Sequence, residues 1–214
     1  MLELTGRRLP VFLSLDESSS MTGQPIEALR QGVKALLDDL RSDPQALETV
    51  WLSVITFNST AQQVCPLTEL IAFQEPHLEA GGNTALGAAL RLTEQCIDKE
   101  VRKSTATQKG DWKPLVFLIT DGQPTDSWEA AADSIKQKKI NIIACAAGSV
   151  ADESLLKRIT DNVVKLENLQ PDSFKAFFRW VSTSIKVTSQ SVAQVAPNAP
   201  INLPPPPQQI TIVP

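Results

Sequence analysis

The sequence predicts an α/β protein whose doubly wound, mostly parallel sheet of six strands carries helices on both faces. Apolar runs of strand length alternate with helical segments along the chain, which is the pattern of a sheet built from right-handed crossovers. One run, Leu115–Thr120, is apolar almost throughout, as expected of a central strand buried on both faces. Two other runs are separated only by Asn58 and Ser59, which is too short for a crossover and requires an antiparallel pair.

The same alternation predicts the order of the elements. The predicted strands are residues 11–15, 50–57, 60–67, 115–120, 140–147 and 163–166. The predicted helices begin near residues 25, 86, 126, 154 and 171. Pro25 suits the first turn of its helix, and Asp126 with Glu129 three residues later has the spacing of a capping box. Pro66 indicates that the third strand lies at an edge, so we expect the strand order 3-2-1-4-5-6.

The composition is that of one folded domain followed by a proline-rich tail. The 214 residues carry a net charge of −4 and are 42% hydrophobic, which gives no reason to expect affinity for nucleic acid or membranes. We assign residues 1–187 to the domain. Residues 188–214 contain seven prolines and no charged residue, and we expect a flexible tail because such a segment cannot bury a core. Alternatively, the tail binds an aromatic groove, or residues 210–213 add a strand to a sheet edge.

We expect the chain to be a cytoplasmic monomer. No stretch approaches the ~20 apolar residues that span a bilayer, and the first residues lack the layout of a signal peptide. Cys65, Cys96 and Cys145 are odd in number and far apart. Free thiols in a reducing compartment are therefore expected.

Oxygen-bearing side chains follow two strands that the predicted order makes neighbours. Asp16, Ser18 and Ser20 follow the first strand at alternate positions, and Asp121 follows the fourth. Ligands of doubly wound folds bind at the carboxyl ends of the strands beside the switch point, so we expect the two carboxylates to meet there. Carboxylate and hydroxyl oxygens suit a hard cation such as Mg²⁺, Mn²⁺ or Ca²⁺. Taken singly, each of these residues has an ordinary alternative role in a turn or a cap.

Three segments together resemble the von Willebrand factor A domain over residues 9–187. They are D-x-S-x-S after the first strand, Thr84 after two glycines, and T-D-G after the fourth strand. The resemblance implies a metal-ion-dependent adhesion site that binds a divalent metal, Mg²⁺ ahead of Mn²⁺ or Ca²⁺. The implied metal ligands are Asp16, Ser18, Ser20, Thr84 and Asp121. The implied function is a metal-dependent protein-interaction module, not an enzyme, in which a partner's acidic group takes an open coordination position.

Within that family, residues 9–33 and 117–126 look most like the small bacterial TerY-like proteins of tellurite-resistance and stress gene clusters. This resemblance implies a protein kinase and a PP2C-type phosphatase as partners. Two positions depart from the family's usual pattern. Ser19 stands where glycine is usual, and Glu17 stands where a small or uncharged residue is usual. We expect the Glu17 side chain to point into solvent.

Two other functions stay open at the level of sequence. A metal-dependent phosphohydrolase would also place an aspartate after the first strand, but it normally needs a second aspartate where Ser18 stands. A hydrolytic triad needs a histidine near its serine, and the sole histidine, His77, lies in a polar loop. A nucleotide site is the third alternative, because residues 81–87 are glycine-rich and open a helix, although they match no phosphate-binding motif.

Overall fold

A seven-stranded sheet organises the part of the chain that the computed structural model describes, residues 7–138, 140–148, 151–192 and 203–213. The strands are β1 Leu9–Asp16, β2 Val50–Phe57, β3 Ala61–Glu69, β4 Leu115–Thr120, β5 Asn141–Ala147, β6 Val163–Leu166 and β7 Ile210–Ile212. Their order is β3-β2-β1-β4-β5-β6-β7. The edge strands β3 and β7 are antiparallel to their neighbours, and the other pairs are parallel. The predicted doubly wound fold and the order of its first six strands are confirmed.

Helices cover both faces of this sheet. They are α1 Gln24–Arg41, α2 Pro44–Thr49, α3 Leu86–Glu100, α4 Glu129–Gln137, α5 Glu153–Ile159 and α6 Pro171–Val192. The apolar sides of α1 and α6 pack on one face, and those of α3, α4 and α5 pack on the other. Successive side chains of β1 alternate between these two cores, with Leu13 on the first and Phe12 on the second. Every residue of β1 is buried, so the site at its carboxyl end rests on a rigid central strand.

The C-terminal segment corrects the predicted number of strands from six to seven. Helix α6 continues through residues 188–192, and β7 pairs with β6. A tail that adds a strand to the sheet edge was one of the alternatives for this segment. Residues 193–202 and 214 of the predicted tail lie outside the described residues, and for them the flexibility assigned to the tail stays a prediction.

Replacing Ile210 with alanine is expected to destabilise the fold, because this side chain is 4% exposed and belongs to the core beside α6. The neighbouring segment is held by the Trp180 indole N–H, which donates to the Pro204 carbonyl oxygen at 2.9 Å. Burial of this kind makes Ile→Ala cost about 2–5 kcal/mol in the free energy of unfolding. Ile212 lies in the same strand but is 57% exposed, so its replacement should cost under about 0.5 kcal/mol. Urea denaturation of the two variants tests this contrast, and equal small losses would show that β7 is not part of the cooperative fold.

The three cysteines are free thiols, as expected from the sequence. Cys96 and Cys145 are buried and Cys65 is half-buried. In the described part of the chain, no helix has both the length and the apolar character needed to cross a membrane.

Candidate metal centre

Three loops carry the predicted site residues: the first follows β1, the second connects β3 to α3, and the third follows β4. The site residues of the first and third loops meet at the carboxyl edge of the sheet. Asp16 is the last residue of β1, and Asp121 follows the last residue of the neighbouring strand β4. The Ser20 hydroxyl donates to Asp121 Oδ1 at 2.8 Å, which joins the two loops directly. The sheet order therefore brings together two carboxylates that are far apart in sequence. They meet at the switch point between β1 and β4, where the strand order reverses.

The first loop is folded so that its hydroxyls converge. Asp16 Oδ1 accepts the Ser18 backbone N–H at 2.8 Å, and Asp16 Oδ2 accepts the Thr120 hydroxyl at 2.5 Å. A single 3-10 turn, Ser19–Met21, follows and places the Ser18 and Ser20 hydroxyl oxygens 2.9 Å apart. The alternate polar residues of the D-x-S-x-S segment thus share one side of the loop.

Thr84 approaches the same place from the second loop. Its backbone N–H donates to the Thr125 hydroxyl at 3.2 Å, and the Thr125 N–H donates to the Thr84 carbonyl oxygen at 2.9 Å. A Cβ atom on Gly122 would lie 3.0 Å from Thr84 Oγ1, so a larger residue beside Asp121 would crowd the threonine hydroxyl. Ala85, not Thr84, precedes the first residue of α3, and the Thr84 hydroxyl is left to face the third loop.

Asp126 does not cap α4, so the predicted capping box is wrong. Helix α4 begins at Glu129 after Trp128, without a side-chain cap. The Asp126 carboxylate instead accepts the backbone N–H groups of Gly87 and Ala88 at 2.9 and 2.8 Å. These N–H groups belong to the first turn of α3, where backbone donors have no partner within the helix. Asp126 therefore fastens the loop after β4 to the helix that begins beside Thr84.

The prediction for Glu17 is also wrong, because its side chain is buried and only 7% exposed. Its carboxylate accepts the backbone N–H of Glu79 at 2.9 Å. Ser19 has no positive φ, so a serine at this position does not strain the turn. Its backbone N–H and its hydroxyl both donate to the Gly82 carbonyl oxygen, at 3.0 and 2.7 Å. Both unusual residues therefore hold the second loop.

The two site carboxylates are buried without a compensating positive charge. Within the described residues, neither Asp16 nor Asp121 forms an ion pair with a lysine, arginine or histidine. Burial raises the pKa of Asp16 to about 6, against the opposing effect of its hydrogen bonds. Burial likewise raises the pKa of Asp121 above its usual value. Uncompensated buried carboxylates are costly, and a bound cation would offset that cost.

The chemistry of the donor set fits a hard divalent cation. It comprises two carboxylates and three hydroxyls, and oxygen ligands of this kind suit Mg²⁺, Mn²⁺ and Ca²⁺. Three or more histidine, cysteine, aspartate or glutamate side chains nowhere converge as metal ligands in the described ranges. The predicted cluster at the switch point contributes only two such side chains, Asp16 and Asp121, so its role as a metal site stays a prediction.

A doubly wound, mostly parallel sheet with helices on both faces defines an α/β domain of the Rossmann type. The sequence model of the von Willebrand factor type A domain matches residues 11–177. The chain therefore belongs to this family, which confirms the family resemblance drawn from its three motifs.

Two curated proteins and a solved structure illustrate the similarity. The chain is 35% identical over 124 residues to the uncharacterised protein sll0103 of Synechocystis sp., across 55% of this chain and 26% of that protein. It is 26% identical over 155 residues to the human collagen alpha-6(VI) chain, across 69% of this chain and 6% of that protein. It thus spans about a quarter or less of these relatives. The von Willebrand factor type A structure from Catenulispora acidiphila has the same fold, with a TM-score of 0.64, 20% identity, and coverage of 85% of this chain and 43% of that one.

Proposed function

We propose that the chain is a metal-dependent protein-interaction module. The observation that carries the proposal is the buried pair Asp16 and Asp121, which has neutral hydrogen-bond partners and lies at the switch point of a von Willebrand factor type A fold. Domains of this family commonly mediate protein interactions through such a site. The module acts as a monomer and is not an enzyme.

Five side chains would hold the metal, for which Mg²⁺ is the first choice and Mn²⁺ or Ca²⁺ the alternatives. They are Asp16, Ser18, Ser20, Thr84 and Asp121. A bound divalent cation would supply an electrophilic position, since only two of the five groups are charged and Mg²⁺ commonly keeps water ligands that a carboxylate can replace. Thr120 and the Ser18 N–H fix the Asp16 carboxylate, and Ser20 fixes that of Asp121. The residues are thus oriented before the partner's acidic group arrives.

The finer part of the proposal concerns the biological setting. Residues 9–33 and 117–126 resemble TerY-like proteins, which supports a role in bacterial tellurite resistance or stress signalling. The partners would then be a protein kinase and a PP2C-type phosphatase, acting with this module in the cytoplasm. A phosphohydrolase function gains no support, because Ser18 stands where the second aspartate would be needed and His77 is an exposed loop residue, with 82% of its side chain accessible.

Surface plasmon resonance against a purified PP2C-type phosphatase and a purified protein kinase from a bacterial tellurite-resistance gene cluster tests this proposal. Binding is expected in millimolar Mg²⁺ and is expected to disappear in chelator and in Asp121→Ala. Equal binding with and without chelator would contradict a metal-dependent interaction. Hydrolysis of p-nitrophenyl phosphate by the wild type, lost in Asp121→Ala, would instead support the phosphohydrolase.

A further inference from the structure

The segment that carries Thr84 crosses the carboxyl edge of the sheet between β3 and α3 without regular secondary structure after residue 73. Leu78 is buried in the core, and the Arg30 guanidinium donates to its carbonyl oxygen at 2.8 Å. Beyond Leu78 the chain is largely exposed until it reaches Thr84. The position of residues 79–83 therefore depends on individual hydrogen bonds more than on packing.

Glu17 supplies two of these hydrogen bonds from within the first loop. Its carboxylate accepts the Glu79 N–H at 2.9 Å, and its carbonyl oxygen accepts the Gly81 N–H at 2.7 Å. Its own N–H donates to the Phe57 carbonyl oxygen at 2.8 Å, which ties it to the end of β2. Glu17 thus connects the first loop to the segment that leads to Thr84. It also connects the first loop to the end of β2.

We propose that Glu17 is a positioning residue of the candidate metal centre. Its carboxylate fixes Glu79, where the exposed segment 79–83 begins, while the Glu17 carbonyl oxygen and Ser19 hold Gly81 and Gly82. The carboxylate thereby helps to set the path of the chain into Thr84. The inference rests on the proposed function of the site, because a positioning residue has meaning only where the five side chains bind a cation. Groups that orient metal ligands without touching the metal typically change metal affinity by about 10–100-fold when removed.

The direction of the side chain indicates that its hydrogen bond matters more than its charge. Asp16 faces Thr120 on one side of the loop, whereas Glu17 faces a polar pocket of about 390 Å³ on the other. That pocket is lined by Thr56, Asn58, Gln62, His77 and Glu79, among others. Neighbouring residues of an extended chain point to opposite sides, so the Glu17 charge is directed away from the metal ligands. A neutral side chain with the same acceptor should therefore serve equally well.

Three variants separate positioning from charge. Glu17→Ala removes the acceptor, Glu17→Gln keeps an acceptor oxygen without the charge, and Glu79→Ala removes the other acidic side chain of the pocket while keeping the backbone N–H. Calorimetric titration of the chelator-treated full chain with Mn²⁺ should show affinity about tenfold weaker in Glu17→Ala. The other two variants should bind Mn²⁺ with the affinity of the wild type.

Melting in chelator measures the stability of each variant without metal. A purely structural role of Glu17 would lower that stability in the variant, whereas a positioning role would leave it unchanged. Glu17→Met, which fills the space but accepts no hydrogen bond, repeats the test if alanine prevents folding. Wild-type affinity in Glu17→Ala and Glu17→Met would overturn the inference, as would equal losses in Glu17→Gln and Glu17→Ala, which would assign the effect to charge. Absence of Mn²⁺ binding by the wild type would overturn the proposed function itself.

Discussion

Replacing Asp121 with alanine is expected to weaken Mn²⁺ binding by at least about a hundredfold, because the site has only two charged ligands and affinity follows ligand charge. Without metal, the variant should be as stable as the wild type or more stable. The Asp121 carboxylate is buried with the Ser20 hydroxyl as its side-chain partner, and removing an uncompensated buried charge relieves a cost. Calorimetric titration and urea denaturation in chelator measure the two effects separately.

The control for this variant is Asp161→Ala. Asp161 is an exposed aspartate that pairs with Lys136 at 2.9 Å, and it is not one of the five predicted metal ligands. Its replacement should leave Mn²⁺ affinity unchanged. Retention of wild-type affinity by Asp121→Ala would remove Asp121 from the site, and equal losses in both variants would indicate a nonspecific effect of charge.

The second large effect is expected at the opposite end of β1, where Asp111→Ala should lower the free energy of unfolding by about 3–5 kcal/mol. The Asp111 carboxylate accepts Arg8 Nε at 2.8 Å and Arg8 Nη2 at 2.5 Å, and it also accepts the Arg102 N–H at 2.7 Å. Both charged side chains are buried. Among the residues that the structure describes, alanine would leave the buried Arg8 guanidinium with the Glu100 carbonyl oxygen and the Trp51 ring as its partners.

A matched exposed pair shows whether burial is the cause. Arg158 and Asp133 make the same two-point contact, at 2.8 and 2.7 Å, but both side chains are about half exposed. Exposed ion pairs contribute little to stability, so Asp133→Ala should unfold at nearly the wild-type urea concentration. Similar losses in Asp111→Ala and Asp133→Ala would contradict the importance given to burial.

The strands were the most predictable part of the molecule. Val50–Phe57, Leu115–Thr120 and Val163–Leu166 begin and end where the sequence predicts, because continuous apolar runs define buried strands. Helix α2 was missed although Asp43 accepts the Ala46 N–H at 2.8 Å and Pro44 follows it. These residues are a helix start signal, but a proline at this position equally marks the end of the preceding helix α1.

The remaining errors concern contacts between segments distant in sequence. Asp126 has the spacing of a cap for α4 but hydrogen-bonds α3, and spacing cannot distinguish two helices that begin at the same edge. Glu17 is buried because residues 79–81 pass over it, which no local pattern reveals. Strand β7 depends on the open edge of β6 and on burial of Ile210. The positions of Asp16 and Asp121 were predictable because strand order alone brings them together.

The most direct test of the metal-dependent module is the melting temperature of the chelator-treated full chain with and without millimolar Mg²⁺, Mn²⁺ or Ca²⁺. A ligand at about 100 times its dissociation constant adds about 2.7 kcal/mol to the stability of the folded state. For a chain of this length that corresponds to a rise of about 5–10 °C. The proposal predicts such a rise with at least one of the three ions, and its loss in Asp121→Ala. An unchanged melting temperature with all three ions would contradict a resident cation site at Asp16, Ser18, Ser20, Thr84 and Asp121.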